Sequence, residues 1–419
     1  MALRQKYKKP ADTLRKTKTN EPTLDLIPFP PVALRFGQEL PYSVRDAEGK
    51  LLIAKGHVLL DSPQVRQMIV RGVWVQAHET KEYQKALAHK MDTLMHQGAA
   101  LGAIIKAEAE LKTERQVRPE LGPQAAWADL RVHAASVLRE PRVEDFKARF
   151  QHLHNESLER LLRQPDATLM LLIFDASMDF NQYSARHAML CQVLAELCGR
   201  QLGLPDEQRL ALTQAALSMN IGITALQDRL AAQQDPPSEA QRRDLMGHGD
   251  RSAELLHSLG VRSELWLQTV RLHHEAGPGP LAERSPAEHL ARLLRRIDSF
   301  AARLSPRRSR LALPGASAGR SVYLDELRQP DEAGVAIVKT LGLYPPGSLV
   351  RLANGEVGMV FKRGHSATEP MVAALLGKSG NPLSEPVPRD TRLATQAIAA
   401  SLAPHEMKLL VTMEKLLRL

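Results

Sequence analysis

Apolar residues recur at intervals of three and four along most of the chain, and the exceptions lie towards its two ends. Between about 27 and 78 the pattern is strand-like. Runs at 40–45 and 50–54 flank the turn sequence Asp46-Ala47-Glu48-Gly49, 63–70 reads as a short helix, and 72–75 as a last strand. From 81 to about 112 the pattern turns helical and polar until Pro119 and Gly122-Pro123 interrupt it. A second helical region covers 125–162 and is broken at Pro141. Neither region sustains three heptads, so packing against a core is expected in place of a coiled coil. After Pro165 six apolar-periodic segments follow, at 167–175, 181–202, 207–225, 238–259, 262–275 and 286–304. Successive helices joined by short loops predict an all-α bundle. Beyond 304 come a basic loop at 306–310 and an Ala-, Gly- and Ser-rich stretch at 311–320. Two apolar runs then face each other across Asn354-Gly355, a hairpin signal. After 377 the chain is rich in Pro and Ser, and a final helix is predicted over 404–419.

The chain has 419 residues, enough for two or three domains, and 43% of them are hydrophobic. Aromatics make up only 4%, so aliphatic side chains must fill the core. No apolar run reaches the roughly 18 residues a membrane span needs, and the first 20 residues lack the apolar stretch of a secretory signal. Cys191 and Cys198, seven apart on one helical pattern, are expected to face the core as free thiols. A reducing, cytoplasmic location fits that reading. Part of the formal charge of +9 sits in residues 1–26, which lack periodicity and read as a basic, disordered tail. Such a tail could hold nucleic acid or anionic lipid. Without interleaved aromatics to stack on bases, nucleic acid is disfavoured and a solubilising role is the plainer reading.

The chemistry concentrates in 166–310. His273, His274 and Glu275 close one helical segment and run into Gly277-Pro278-Gly279-Pro280. His187, His248 and Asp298 lie on three others. Four imidazoles and a carboxylate on successive helices are what a metal site inside a bundle requires. Plainer readings exist for each. The histidines could line a hydrated cleft, His187 could be a satisfied core residue, and Asp298 could pair with Arg295 or Arg296. Neighbouring helical positions point about 100° apart, which makes it hard for both His273 and His274 to reach one ion.

In order and spacing these residues resemble the HD-GYP family, the metal-dependent phosphohydrolases that cleave the bacterial messenger cyclic di-GMP. His187 matches that family's first histidine, His248 its lone histidine, His273, His274 and Glu275 its triplet, and Asp298 its late aspartate. The Leu341–Leu352 run, with Tyr344-Pro345-Pro346-Gly347, is similar to an extension that follows many such cores. The fold this implies is mainly α: an HD-type helical bundle with a small N-terminal α+β module and a small C-terminal β extension. The boundaries expected are a tail at 1–26, the α+β module at 27–80, a helical connector at 81–165 and the core at 166–310. A β extension at 335–372 follows, then a flexible segment and C-terminal helix at 373–419.

The resemblance breaks at the dyad. Where the family has His-Asp-x-Gly-Lys, this chain has Met219-Asn220-Ile221-Gly222-Ile223. In the family the dyad aspartate bridges two metals roughly 3.5–4 Å apart. Asn220 has nearly its shape without its charge, Met219 offers a thioether to hard ions it does not suit, and Ile223 stands where a lysine contacts phosphate. Tyr183 occupies a position where some members have a glutamate ligand, and the Gly-Tyr-Pro loop is shortened to Gly277–Pro280. Arg307 lies near the place of a phosphate-contacting arginine. The resemblance therefore implies a dismantled binuclear centre with His187, His248, His273, His274 and Asp298 as candidate ligands. The expected cofactor is none, or a single divalent ion (Zn, Mn or Fe). The function implied is a non-catalytic regulatory or nucleotide-sensing module, with cyclic di-GMP, a GGDEF-type signalling protein or a second copy of the chain as partner. The alternative is a residual single-metal phosphohydrolase.

Overall fold

The computed structural model describes residues 122–407 and 411–419. Of the N-terminal part it describes 26–29, 40, 42–47, 49, 51–53, 57, 59, 63–70, 72–77 and 80–81. Residues 1–25 and the polar helical stretch at 82–112 lie outside the described residues. The chain divides into two compact units, 1–120 and 121–419.

In the first unit, strands β1 (Leu26–Phe29), β2 (Val44–Arg45), β3 (Leu51–Ile53) and β4 (Val73–Gln76) form an antiparallel sheet in the order β1-β4-β2-β3, with helix α1 (Pro63–Val70) before the last strand. Val44, Leu59, Val73 and Val75 are buried together beneath it. The turn at 46–49 closes through the Gly49 amide and the Asp46 carbonyl, 3.1 Å apart. Strand β1 was not anticipated. Its Pro28 lies on an edge strand, where a missing amide hydrogen costs no ladder bond.

The second unit is mainly helical. Helices α2 (Pro123–Arg139) and α3 (Phe146–Arg163) precede α4 (Pro165–Met178), α5 (Tyr183–Gln201) and α6 (Asp206–Ser218). Next come α7 (Thr224–Ala232), α8 (Glu239–Leu245), α9 (His248–Ser258), α10 (Glu264–Leu272) and α11 (Pro286–Leu304). Helix α5 is the axis: α2, α3, α4, α6, α7 and α11 all pack on it, and 16 of its residues are buried, including both free thiols, Cys191 and Cys198. Helix α11 keeps the predicted bounds because both ends are signalled. Ser285 and Glu288 form a capping box with Pro286 at the first helical position, and Ser305-Pro306 follows its end. Helix α4 is apolar on nearly all sides, as a helix covered on two faces must be. It packs on α5 and on strand β6 (Val357–Lys362) of the C-terminal sheet.

That C-terminal part differs from expectation. Residues 311–341 carry two further helices, α12 (Gly315–Tyr323) and α13 (Glu332–Leu341), so strand structure begins only at β5 (Leu349–Leu352). The hairpin from β5 to β6 turns at Asn354-Gly355, with Leu349 opposite Met359 and Gly355 at φ 89°. The stretch read as flexible continues the sheet through β7 (Met371–Leu376), β8 (Pro382–Asp390) and β9 (Ile398–Leu402), in the order β8-β7-β6-β5-β9. Pro386 and Pro388 masked β8 in the sequence, yet both are tolerated because β8 is an edge strand. In place of one helix over 404–419 there is a single turn at Pro404–Glu406 and the short α14 (Met413–Leu416). Among the described residues no helix is long and apolar enough to cross a membrane.

Candidate functional site

A cavity of about 150 Å³ opens among α5, α7, α9, the end of α10 and α11. Tyr183, His187, Asn220, His248, His274, Asp298 and Arg307 are in its wall. His273 adjoins it, its ring 5.1 Å from His248 and 4.1 Å from His274, centroid to centroid. The candidate ligands His187, His248, His273, His274 and Asp298 thus come together with Asn220 and Arg307, whereas Met219, Glu275 and Gly277–Pro280 do not line the cavity.

Local backbone breaks put the histidines there. The segment expected as one helix over 238–259 is interrupted at Gly247, which takes φ 66° and lets the chain turn before His248 starts α9. Helix α10 stops at Leu272, whose carbonyl accepts from the Glu275 and Ala276 amides at 2.9 and 3.0 Å. His274 therefore lies off the helix, and the 100° separation of helical neighbours no longer keeps its ring from His273. Helices α9 and α10 cross closely because residue 249 is glycine. A Cβ there would sit 2.6 Å from the Arg271 carbonyl oxygen and 3.1 Å from that of Val270.

His248 donates from Nδ1 to the Leu245 carbonyl at 2.7 Å, and His273 from Nδ1 to the Val270 carbonyl at 2.6 Å. A carbonyl only accepts, so each Nδ1 carries the hydrogen and each Nε2 presents a lone pair. Both Nε2 atoms are buried without a hydrogen-bond partner. Burial, reinforced by His274 and His248, lowers the pKa of His273 to about 3, and burial also lowers His248 and His274. The three imidazoles are therefore neutral at pH 7, and one ligand nitrogen from each lies within 4.8 Å of the others. Backbone acceptors that fix tautomer and ring angle are the usual support of metal-ligating histidines. This trio fits a divalent ion.

His187 and Asp298 make a different arrangement. His187 Nε2 donates to Asp298 Oδ1 at 2.7 Å, while its Nδ1 is buried without a partner. Tyr183 stacks on the imidazole at 5.6 Å and 9°. Burial by itself would raise the Asp298 carboxyl, but the His187 hydrogen bond and the surrounding imidazoles hold it well below the usual carboxylate range. Pairing of Asp298 with Arg295 or Arg296 is not observed. Arg295 donates to the His274 carbonyl at 2.8 Å, and Arg296 to the carbonyls of Val322 and Leu324. The Cys191 thiol lies 3.5 Å from His187 Nε2, and burial pushes it well above the ordinary thiol range, so it stays protonated.

Asn220 stands in the wall of the same cavity, whereas Met219 is 1% exposed and packs into the main hydrophobic core. Ile223, Leu226 and Leu230 form a small apolar cluster on the same side, and Leu245 rests on it. Arg307 reaches in from the loop after α11. Its guanidinium lies 5.1 Å from the Tyr183 ring centre and donates to the Tyr183 hydroxyl at 3.2 Å, while its Nε is buried without a partner. Glu275 is exposed, and neither it nor Gly277–Pro280 lines the cavity. Arg284 ties that loop down through the Gly277 carbonyl at 2.7 Å.

Sequence reasoning missed several contributors. Gln227 lines the cavity with its Oε1 buried and unpartnered. Behind the double histidine, Arg292 is fully buried. It bonds the Ala276 carbonyl at 3.0 Å, pairs with both Glu326 oxygens at 3.1 and 2.9 Å, and pairs with Asp331. Its partners lie 34 and 39 residues away, so nothing local announces them. Gly249 was legible in principle, as a glycine one residue after His248 and inside a helical pattern.

No family model matches the chain, and no solved structure matches it. One characterised protein does. The chain is similar to the cyclic di-GMP phosphodiesterase PA4108 of Pseudomonas aeruginosa, with 27% identity over 334 residues that cover 76% of this chain and 77% of that protein.

Proposed function

We propose that this chain is a cyclic di-GMP phosphodiesterase-like protein of the HD-GYP type whose two-metal centre is reduced to a single ion. It serves bacterial cyclic di-GMP signalling as a non-catalytic regulatory or nucleotide-sensing module. One observation carries the reading: the cavity that both donor groups line has Asn220, a neutral amide, in its wall, and two metals would need a bridging carboxylate. Two cations a few ångströms apart repel strongly without such an anion. The ion belongs on His248, His273 and His274. Three neutral imidazoles with an open fourth position suit zinc, or iron, better than manganese. It would polarise a bound water or phosphate oxygen. His187 is not assigned to that ion, because ligation through Nε2 would leave its buried Nδ1–H without an acceptor. Arg307 supplies a cation to an oxyanion in the cavity, and the Gln227 Oε1 supplies an acceptor to a bound water or hydroxyl.

A second reading, a residual one-metal phosphohydrolase, is favoured by Asp298 and Arg307 sharing the cavity with His248 and His274. The experiment is metal analysis of protein purified without chelator, combined with a cyclic di-GMP hydrolysis assay. The regulatory reading expects about one ion per chain, lost in His273→Ala, and no turnover. Hydrolysis on the order of 1 s⁻¹ that vanishes in His273→Ala would establish the second reading instead.

A further inference from the structure

From residue 232 to residue 247 no side chain is buried, although this stretch borders the cavity. Helix α8 within it has no buried residue and packs extensively on no other described element. Its stability is local. Ser238 and Gln241 form a capping box, Gln233 and Gln241 exchange amide hydrogen bonds, and Arg242 bonds the Pro237 carbonyl at 3.0 Å. One apolar anchor holds it down, the half-buried Leu245 resting on Ile223, Leu226 and Leu230. The next residue, Met246, is 72% exposed. The segment ends at Pro236-Pro237 on one side and at Gly247, with its positive φ, on the other. A helix held by one apolar anchor and by Arg251 bonds to the Asp244 and Met246 carbonyls, between two such joints, is built to move as a unit.

Its position gives that motion a consequence. Leu245 is in the cavity wall, and its carbonyl is the acceptor that fixes the His248 tautomer. The cavity, about 150 Å³, has room for an ion and a few waters. Pockets for drug-sized ligands run to about 300–1,000 Å³, so a cyclic dinucleotide does not fit while Leu245 is seated.

We propose that residues 236–247 form a gate. Seated, it confines the cavity to an ion and a small oxyanion and holds His248 ready to ligate. Lifted, it admits a nucleotide and frees the His248 ring, so that gate position and metal retention are coupled. The coupling rests on the metal assignment above, whereas the gate itself does not.

The test uses the full chain. Hydrogen exchange followed by mass spectrometry compares the wild type with Leu245→Ala, which removes the anchor and keeps the carbonyl. It also includes Arg251→Ala, which removes bonds to the Asp244 and Met246 carbonyls. In the wild type, amides of 239–246 should exchange at least tenfold faster than those of 249–258, and both variants should widen the gap. Zinc release to a chromophoric chelator should quicken by roughly tenfold or more in the variants. Protection of 239–246 equal to that of 249–258, or variants that match the wild type in exchange, overturns the gate. Faster exchange with unchanged zinc release overturns the coupling. A wild type that takes up no zinc defeats the metal assignment and the coupling with it, and the gate is then judged on exchange alone.

Discussion

Replacing His273 with glutamine should flatten the acid side of the stability profile of the metal-free protein. His273 is fully buried, and burial together with its two histidine neighbours lowers its pKa from 6.5 to about 3. Above pH 6.5 neither the folded nor the unfolded chain protonates it, and it contributes nothing to the pH dependence. As the pH falls below 6.5 the unfolded chain takes up a proton that the folded chain refuses until about pH 3. Stability is therefore lost with falling pH, at about 1.4 kcal/mol per pH unit. At pH 4.5 that amounts to about 3 kcal/mol from this one residue. His248 and His274 are lowered too and add to the slope of both proteins, so the difference between wild type and variant isolates His273. Asp298, held below the usual carboxylate range, loses its contribution only at still lower pH, outside this window. The assay is urea unfolding in the presence of chelator at pH 7.0, 6.0, 5.0 and 4.5. It is followed by the fluorescence of Trp266, which stacks on Phe150 at 5.0 Å and donates to Ser218 Oγ at 2.9 Å. The wild type should lose about 3 kcal/mol more than His273→Gln between pH 6.5 and 4.5. Parallel losses in the two proteins would refute the neutral, desolvated imidazole on which the metal assignment depends.

Three further outcomes are expected. Asn220→Asp should raise manganese or iron uptake from about one ion towards two, measured as metal per chain. Adding Met219→His should bring little more, because residue 219 faces the core. Gly249→Ala must open the contact with the Arg271 carbonyl from 2.6 Å to at least 3.4 Å. Parting α9 from α10 should weaken zinc binding on the order of tenfold, read by competition with a chelator, in a chain that circular dichroism shows to be folded. Asp331→Ala removes a buried partner of Arg292 and the cap of α13, whose Gly334 amide it accepts at 2.9 Å. Because Glu326 still pairs with Arg292, the loss should stay below the roughly 3–5 kcal/mol of an orphaned buried charge, with about 1 kcal/mol more for the cap, visible as a lowered urea midpoint.

The bundle was legible because its helices announce themselves through periodicity and, in α11, through caps at both ends. The candidate ligands were read from their order and spacing as a resemblance to the HD-GYP family, and the structure groups His248, His273 and His274 and sets His187 beside Asp298. What could not be read depends on single backbone events. Gly247 splits one predicted helix in two, and the stop at Leu272 converts two helical neighbours into a pair that can face one point. The Arg292 network joins α11 to a loop more than thirty residues on, a pairing no window of sequence contains. Strand β8 was hidden by its prolines, which argue against a strand only where both edges must bond.

The two-sided burial of α4 bears on how the chain can be cut. One face of this helix is covered by α5 and another by β6, and the loop before β5 presses so closely that a Cβ on Gly347 would lie 2.8 Å from the Met170 carbonyl oxygen. A fragment ending near residue 310 would keep every candidate ligand and lose that cover. It would bare a strip bearing Met170 and Ile173, both nearly inaccessible in the full chain, and would be prone to associate through it. The helices that bear the candidate ligands and the terminal sheet thus belong to one compact unit. A fragment meant to carry the histidines without baring that strip should therefore span the compact unit 121–419.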